Sequence, residues 1–417
     1  MKIARKFLVI CLLGLFVSSC AVLQEFQEPD ADHSQPTDSR SSETPVRPLP
    51  GGEVRVEDVG AVSDFVVVLD SDGRAWRFGA TDRSLGGPPW AGAVEDTSPI
   101  RAFESRDWIS VGVGSNHLLL VSRDGELYTW GNNTGSVLGL GEAFSLSRFS
   151  VDVNRIAASE AWGRAFAGEQ SSFAVTRDGR VFAWGNPSSG RLGLGPVTPD
   201  NPAMTRFEYW GPADSVEELG VPNPEPITGL SDIVNLAIGP SFVLALDANG
   251  RVFAWGDNAD GVLGTGDRES RSTPVGIDFT TRVSDIAAGA YTSFAITDSG
   301  QLYGWGGNRY GELADSPNPM EVSPVTLFAD RRWRDVATGL HSNIGGSTTP
   351  IVYAISDMGW LYYWASGERQ PTALANDIGG WVSVTVSERR IIAIRRNGAL
   401  YTWVHGEPVP PSRFVLR

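Results

Sequence analysis

From about residue 53 onward, short apolar runs alternate with polar turns in one recurring order: a small residue, an apolar run, a turn ending in glycine, a second apolar run, then Trp-Gly. The clearest copies are GSNHLLLVSRDGELYTWG from Gly114, GEQSSFAVTRDGRVFAWG from Gly168, GPSFVLALDANGRVFAWG from Gly239 and GAYTSFAITDSGQLYGWG from Gly289. Asp124-Gly125, Asp178-Gly179 and Asn249-Gly250 supply the positive-φ residues that hairpin turns need, which predicts β-hairpins with two-residue turns. The flanking runs, such as Phe242-Val243-Leu244-Ala245-Leu246, are apolar at consecutive positions rather than alternate ones. Such strands have both faces buried, so the hairpins must be stacked face to face.

A copy from Val62 keeps the spacing but has Phe78 in place of Trp, and two degraded copies end at Trp364-Ala365 and Trp403, bringing the count to seven. Turn-to-turn spacings of 52, 54, 71, 50, 59 and 39 residues suit one four-stranded blade per copy. The expectation is an all-β, seven-bladed β-propeller over residues 53–417, with the recurrent Trp rings filling the wedges between blades. Propellers protect their edges by closing, so Phe414-Val415 is expected beside Val54–Val59 as a closing strand, with Pro48-Leu49 as the alternative.

The repeats resemble those of the regulator of chromosome condensation family. The likeness rests on Trp130-Gly131-Asn132 followed by Leu138-Gly139-Leu140-Gly141, on Trp184-Gly185-Asn186 followed by Leu192-Gly193-Leu194-Gly195, and on Trp255-Gly256 followed by Leu263-Gly264-Thr265-Gly266. It implies a propeller that binds proteins. It also brings guanine-nucleotide exchange as a function by analogy. His117 matches the family's histidine slot, where Phe65, Ser171, Phe242 and Thr292 stand in other copies, and is read as a packed, hydrogen-bonded side chain.

The N-terminus adds a location. Lys2, Arg5 and Lys6 precede the apolar run Phe7–Val17, too short to span a bilayer comfortably, so residues 1–19 are read as an export signal. Val17-Ser18-Ser19-Cys20 resembles the lipobox of bacterial lipoproteins, which implies cleavage before Cys20 and acylation of its thiol. Anchorage to a bacterial membrane is then expected, the outer one in a Gram-negative cell. Cys11 lies in the signal, which leaves no cysteine pair for a disulfide. Residues 20–52, rich in Glu, Asp, Ser, Pro and Gln, read as a disordered tether.

The net charge of −15 becomes −18 once the signal is removed, which argues against nucleic acid as a partner. Walker, dinucleotide-binding, zinc-protease and nucleophile-elbow motifs are all missing, and no cofactor or metal is expected. Asp257-Asn258-Ala259-Asp260-Gly261 lacks the alternating ligands of a calcium loop and reads as a blade loop. The leading function is a monomeric, non-catalytic scaffold for an unidentified protein partner. An envelope hydrolase using carboxylates at the central channel is the alternative. The candidate partner surface is the insertion at about 196–229, where Phe207, Tyr209 and Trp210 stand near Glu217 and Glu218 amid seven prolines.

Lipidation has a direct test. The mature protein should partition into detergent, and Cys20→Ala should release it; a Cys20→Ala protein that stays membrane-bound to the same extent would refute the anchor.

Overall fold

In each copy the turn glycine sets the hairpin, and the structure shows how. The computed structural model describes residues 55–417 except 63–64, 80–99, 104–106, 142–148, 211–214, 315, 343–347, 366–367, 375–378, 405–411 and 415–417. Gly73, Gly125, Gly179 and Gly250 have φ of +77°, +83°, +79° and +77°. The Gly73 N–H donates to the Asp70 carbonyl at 2.9 Å, and the Asp70 N–H donates to the Arg74 carbonyl at 3.0 Å. Three residues therefore form the loop, not the two expected. Only the last needs a left-handed backbone, so the aspartate before it stays in ordinary conformation. The Asp70 carboxylate accepts the N–H groups of Asp72 and Arg74, both at 2.9 Å, and stiffens the turn.

These hairpins grow into seven antiparallel sheets among the described residues. Blade 1 holds β1 (Val56–Val62), β2 (Phe65–Asp70), β3 (Ala75–Phe78) and β4 (Ile100–Ala102). Blade 2 holds β5 (Trp108–Val113), β6 (His117–Ser122), β7 (Leu127–Asn132) and β8 (Phe149–Arg155). Blade 3 has five strands: β9 (Trp162–Ala167), β10 (Ser171–Thr176), β11 (Val181–Gly185), β12 (Thr205–Trp210) and β13 (Ser215–Pro226). Blade 4 comprises β14 (Ile233–Ile238), β15 (Phe242–Asp247), β16 (Val252–Gly256) and β17 (Arg271–Ile277). Blade 5 comprises β18 (Val283–Ala288), β19 (Thr292–Thr297), β20 (Leu302–Gly307) and β21 (Met320–Leu327). Blade 6 is built from β22 (Trp333–Ser342), β23 (Thr348–Ser356), β24 (Leu361–Ala365) and β25 (Thr372–Ala373). Blade 7 is built from β26 (Trp381–Val386), β27 (Ile391–Arg395), β28 (Leu400–Trp403) and β29 (Ser412–Phe414). The chain is a seven-bladed propeller, as the repeat count predicts.

First strands of successive blades pack on one another in a closed circuit, with β26 returning to β1. The second strands of blades 1 to 5 are buried along their whole length, which accounts for their uninterrupted apolar runs. Closure differs from expectation. β29 pairs with β28 and β1 with β2, so no strand bridges the two chain ends among the described residues. Each terminal blade is complete from its own contiguous sequence, and the seam is sealed by side chains: Val66, Val68, Trp76 and Phe78 pack against Ile392 and Leu400.

At four consecutive junctions the blades are also clasped by hydrogen bonds. The indole N–H of Trp184 donates to the Val137 carbonyl at 2.8 Å, Trp255 to Arg191 at 2.9 Å, Trp305 to Val262 at 2.8 Å and Trp364 to Glu312 at 2.8 Å. Each acceptor immediately precedes a leucine of the previous blade, and all four indoles are fully buried. The next residue explains the Leu-Gly motif. A Cβ on Gly139, Gly193 or Gly264 would lie 2.7, 2.9 or 2.8 Å from the neighbouring Trp Nε1, and all three glycines have positive φ. The leucine N–H is capped from its own loop, by Asn133 Oδ1 at 2.9 Å, Asn258 at 2.9 Å and Asn308 at 2.8 Å.

Two substitutions test the clasp. Trp305→Phe should cost about 1–3 kcal/mol through a lost hydrogen bond and a partial cavity, read from the denaturant midpoint. Gly264→Ala should also destabilise, but less in the Trp305→Phe background, because the smaller ring leaves room for the methyl group. Strict additivity of the two would show that glycine and indole are not coupled.

Candidate functional site

The insertion in blade 3 is a β-ribbon rather than the irregular loop that its length suggested. β12 pairs with the first half of β13, from Thr205 opposite Gly220 to Trp210 opposite Ser215. The second half of β13 pairs with β11, from Val221 opposite Gly185 to Pro226 opposite Phe182. The ribbon therefore runs on past the end of β11. Its base is fixed: Val221 is fully buried, Met204 packs in the same cluster, and the Pro222 carbonyl accepts the Gly141 N–H of blade 2 at 3.0 Å. A free two-stranded ribbon is marginal in water, so this anchorage supports it.

The register brings the predicted residues together. Phe207 stands opposite Glu218, Glu208 opposite Glu217, and Tyr209 opposite Val216, with Trp210 at the end of the ladder. Three aromatic residues and three acidic ones thus share six paired positions of one ribbon. Cys20 lies outside the described residues.

A second constellation, not singled out from the sequence, lines the axis. The third residue of each first strand is Asp58, Ser110, Arg164, Asn235, Asp285, Asp335 or Ser383, and each follows a bulge in its ladder with the second strand. These polar residues bind blade to blade. Asp58 Oδ2 accepts the Val111 N–H at 2.9 Å and the Ser110 hydroxyl at 3.1 Å; Ser110 Oγ accepts the Ala165 N–H at 3.3 Å. Arg164 donates to the Val234 carbonyl at 2.7 Å and to Asn235 Oδ1 at 3.2 Å, and Asp335 Oδ2 accepts the Val384 N–H at 2.6 Å. The pattern was legible as one polar residue recurring two positions after each strand start. Without the ring, nothing in the sequence joins the seven.

Asp285 and Asp335 are neighbours in this belt and hydrogen-bond to each other, so the structure does pair carboxylates at the axis. Burial, and then the charge of Asp335, raises Asp285 well above the usual carboxylate range, while burial raises Asp335 to about 6. The hydrogen bond from Asp285 lowers Asp335, so of the two Asp285 is the one that holds the shared proton. Both carboxyls are also bonded to the next blade, Asp285 by the Val336 N–H and Asp335 by that of Val384.

Other residues marked from the sequence prove structural. His117 is fully buried, and its Nε2 lies 2.7 Å from Ser172 Oγ. That hydroxyl donates to the Val137 carbonyl at 2.7 Å, so His117 Nε2 is the donor to it, and burial lowers the imidazole to about 3. In the Asp257–Gly261 loop, Asn258 caps Leu263, Asp257 accepts the Ala259 N–H and the Ser270 hydroxyl, and Asp260 faces Arg309. Among the described residues, no cluster of three or more His, Cys, Asp or Glu side chains is placed to hold a metal.

The aspartate pair sets a pH dependence. Its folded-state affinity for protons exceeds that of the unfolded chain, so its contribution to stability is full below about pH 4 and is lost as pH rises through about 6. Asp285→Asn removes the like-charge partner while keeping a donor. Thermal melts across pH should show the variant gaining several degrees on the wild type between acid and pH 8; parallel curves would mean that the pair is not coupled.

Family models for the regulator of chromosome condensation (RCC1) repeat match residues 249–296 and, separately, 108–135, 165–191, 233–262 and 283–312. The chain is 28% identical over 188 residues to the probable E3 ubiquitin-protein ligase HERC6 of Homo sapiens, covering 44% of this chain and 16% of that protein. It is 28% identical over 238 residues to the ultraviolet-B receptor UVR8 of Arabidopsis thaliana, covering 56% of this chain and 48% of the receptor. The chain thus spans about half or less of the length of these curated relatives. Among solved structures it resembles Prp20p from Saccharomyces cerevisiae, with a TM-score of 0.60 and 22% identity over 87% of each chain. At that identity the likeness shows the fold alone. The repeats read from the sequence and the ring of seven blades agree with these matches, and the chain carries RCC1 repeats within residues 108–312.

Proposed function

We propose that this protein is a non-catalytic binding scaffold held at a bacterial envelope by a lipid on Cys20, with the ribbon of β12 and β13 as its principal partner-binding surface. The observation that carries the reading is the departure of one blade from the repeat. Blade 3 alone has a fifth strand among the described residues, and that strand brings Phe207, Tyr209 and Trp210 into register with a β13 segment containing Glu217 and Glu218. Aromatic anchors beside carboxylates suit a partner with an apolar and basic surface. A ribbon fixed at its base loses little freedom on binding, which favours affinity.

The comparisons support this reading in kind. The solved structure of Prp20p is described together with its binding to Gsp1p and histones, and UVR8 is described as a receptor. Protein binding is the expectation carried from them to this chain. Guanine-nucleotide exchange rests on the likeness of fold, and an exported protein would not meet cytoplasmic partners. A hydrolase would use carboxylates at the axis, but Asp285 and Asp335 are each committed to a backbone N–H of the next blade.

Cross-linking in intact envelopes with wild-type protein, followed by the Tyr209→Ala/Trp210→Ala variant, tests the surface. The variant should lose at least tenfold in partner capture with its melting temperature unchanged. Lowered stability with capture intact would show that the two rings only pin the ribbon to the propeller.

A further inference from the structure

The loops that follow Trp-Gly in blades 4 and 5, together with the turn between β18 and β19, surround a cavity of about 80 Å³ lined by Asp260, Tyr291, Gly307, Arg309, Tyr310 and Glu312. Its base is acidic. Glu312 is only 3% exposed; its Oε2 accepts the Tyr310 N–H at 3.0 Å, and its Oε1 has no hydrogen-bond partner. Burial raises the Glu312 carboxyl. At the rim, Tyr291 and Tyr310 are 44% and 42% exposed. Arg309 reaches Asp260 at 3.4 Å but its side chain remains 71% exposed, so it does not fill the space.

The repeats show that this cavity departs from the common pattern. Aligned on Trp-Gly, the place of Glu312 is taken by Val137, Arg191 and Val262 in the three preceding blades. One of those copies carries its own half-buried cation there, Arg191, attracted by Glu169 and Asp257. In blade 5 the sign is reversed: Arg309 attracts the Glu312 carboxyl, but among the described residues no cation hydrogen-bonds to the free oxygen. The place of Gly307 is taken by Asn132, Asn186 and Asp257. A Cβ at Gly307 would meet Tyr291 at 3.4 Å and Asp260 at 3.8 Å, so the missing side chain is what leaves the space open.

We propose that this cavity between the loops of blades 4 and 5 receives the cationic head of a lysine or arginine side chain from a partner protein, with Glu312 as counter-ion and Tyr291 and Tyr310 as flanking rings. A buried carboxylate oxygen without a partner is costly, and an incoming ammonium or guanidinium removes that cost by supplying the missing donor. The exposed tyrosine rings add the attraction of their faces for a cation. Asp260 and Glu312 against Arg309 leave the lining one negative charge in excess. A cavity of this size takes a side-chain head and not a larger ligand. The inference rests on the scaffold reading but concerns a surface separate from the blade 3 ribbon.

Saturation-transfer NMR on the intact propeller tests it with the methylamides of Nα-acetyl-lysine, Nα-acetyl-arginine and, as the uncharged match, Nα-acetyl-norleucine. At least one cationic probe should bind with Kd on the order of 1 mM, its terminal protons most strongly saturated, and the norleucine probe at least tenfold more weakly. Gly307→Asn restores the residue of other copies at an unstrained backbone position, keeps the fold and should abolish the signal. Glu312→Gln keeps the shape and should weaken it about tenfold. Equal binding of the norleucine probe, no binding of either cationic probe, or cation binding undiminished in both variants would each overturn the proposal. Capture by the ribbon is read separately in the Tyr209→Ala/Trp210→Ala variant, so failure here leaves that surface standing and the converse also holds.

Discussion

The hydrogen bond from a buried tryptophan indole to a carbonyl of the preceding blade is the constraint around which the repeat is built. Two sheets that are apolar on both faces attract each other without specifying an angle or an offset. The clasp specifies both, because Nε1 must meet one carbonyl, at 2.8 or 2.9 Å in the four junctions that show it. Much of the remaining motif follows. The carbonyl is presented by a tight loop, the loop is held by an asparagine that caps the leucine N–H, and the residue after the leucine must lack a side chain because the indole lies against it. Blade 5 strains this rule: Ala314 takes the glycine position at φ +42°.

Nearer the axis, a second set of bonds repeats the same logic with looser chemistry. In five blades one polar side chain reaches the next blade's backbone, yet serine, aspartate and arginine all serve in that position. The requirement is for an acceptor or donor of suitable reach, not for one residue. Where two aspartates fall at adjacent blades, their mutual repulsion is relieved by a proton, and the belt gains a charge state set by pH. The pair illustrates how a carboxylate dyad can arise from a repeat without serving chemistry.

Departures from the repeat are where function is most usefully sought, since the repeated residues are occupied with holding the ring. Two stand out, the ribbon of blade 3 and the open cavity of blade 5. Both involve segments after the Trp-Gly element, where a loop is tied at its ends and free to vary between them. A ring packed at every junction, including the seam sealed by Trp76, Phe78 and Leu400, holds such segments at fixed separations and keeps the cost of ordering them on binding low.

Much of the fold was legible in the sequence, because it is written locally and repeated. Apolar runs on consecutive positions, a glycine-ended turn and Trp-Gly at constant spacing determined strands, hairpins, buried faces and the number of blades. The insertion between the third and fourth copies was visible from spacing alone, and with it Phe207, Tyr209, Trp210, Glu217 and Glu218. What the sequence did not contain was the outcome of choices between distant segments. Among the described residues the first and last blades meet by packing rather than by sharing a strand, since each has its own four strands. The insertion is a ribbon rather than a loop because β13 is long enough to pair with β11 and β12 in turn. Asp285 and Asp335 are 50 residues apart in the chain, and Asp260 and Glu312 are 52 apart. Only the packing of one blade on the next brings each pair together, since neighbouring copies of a repeat meet in space at one fixed offset that no single copy can encode.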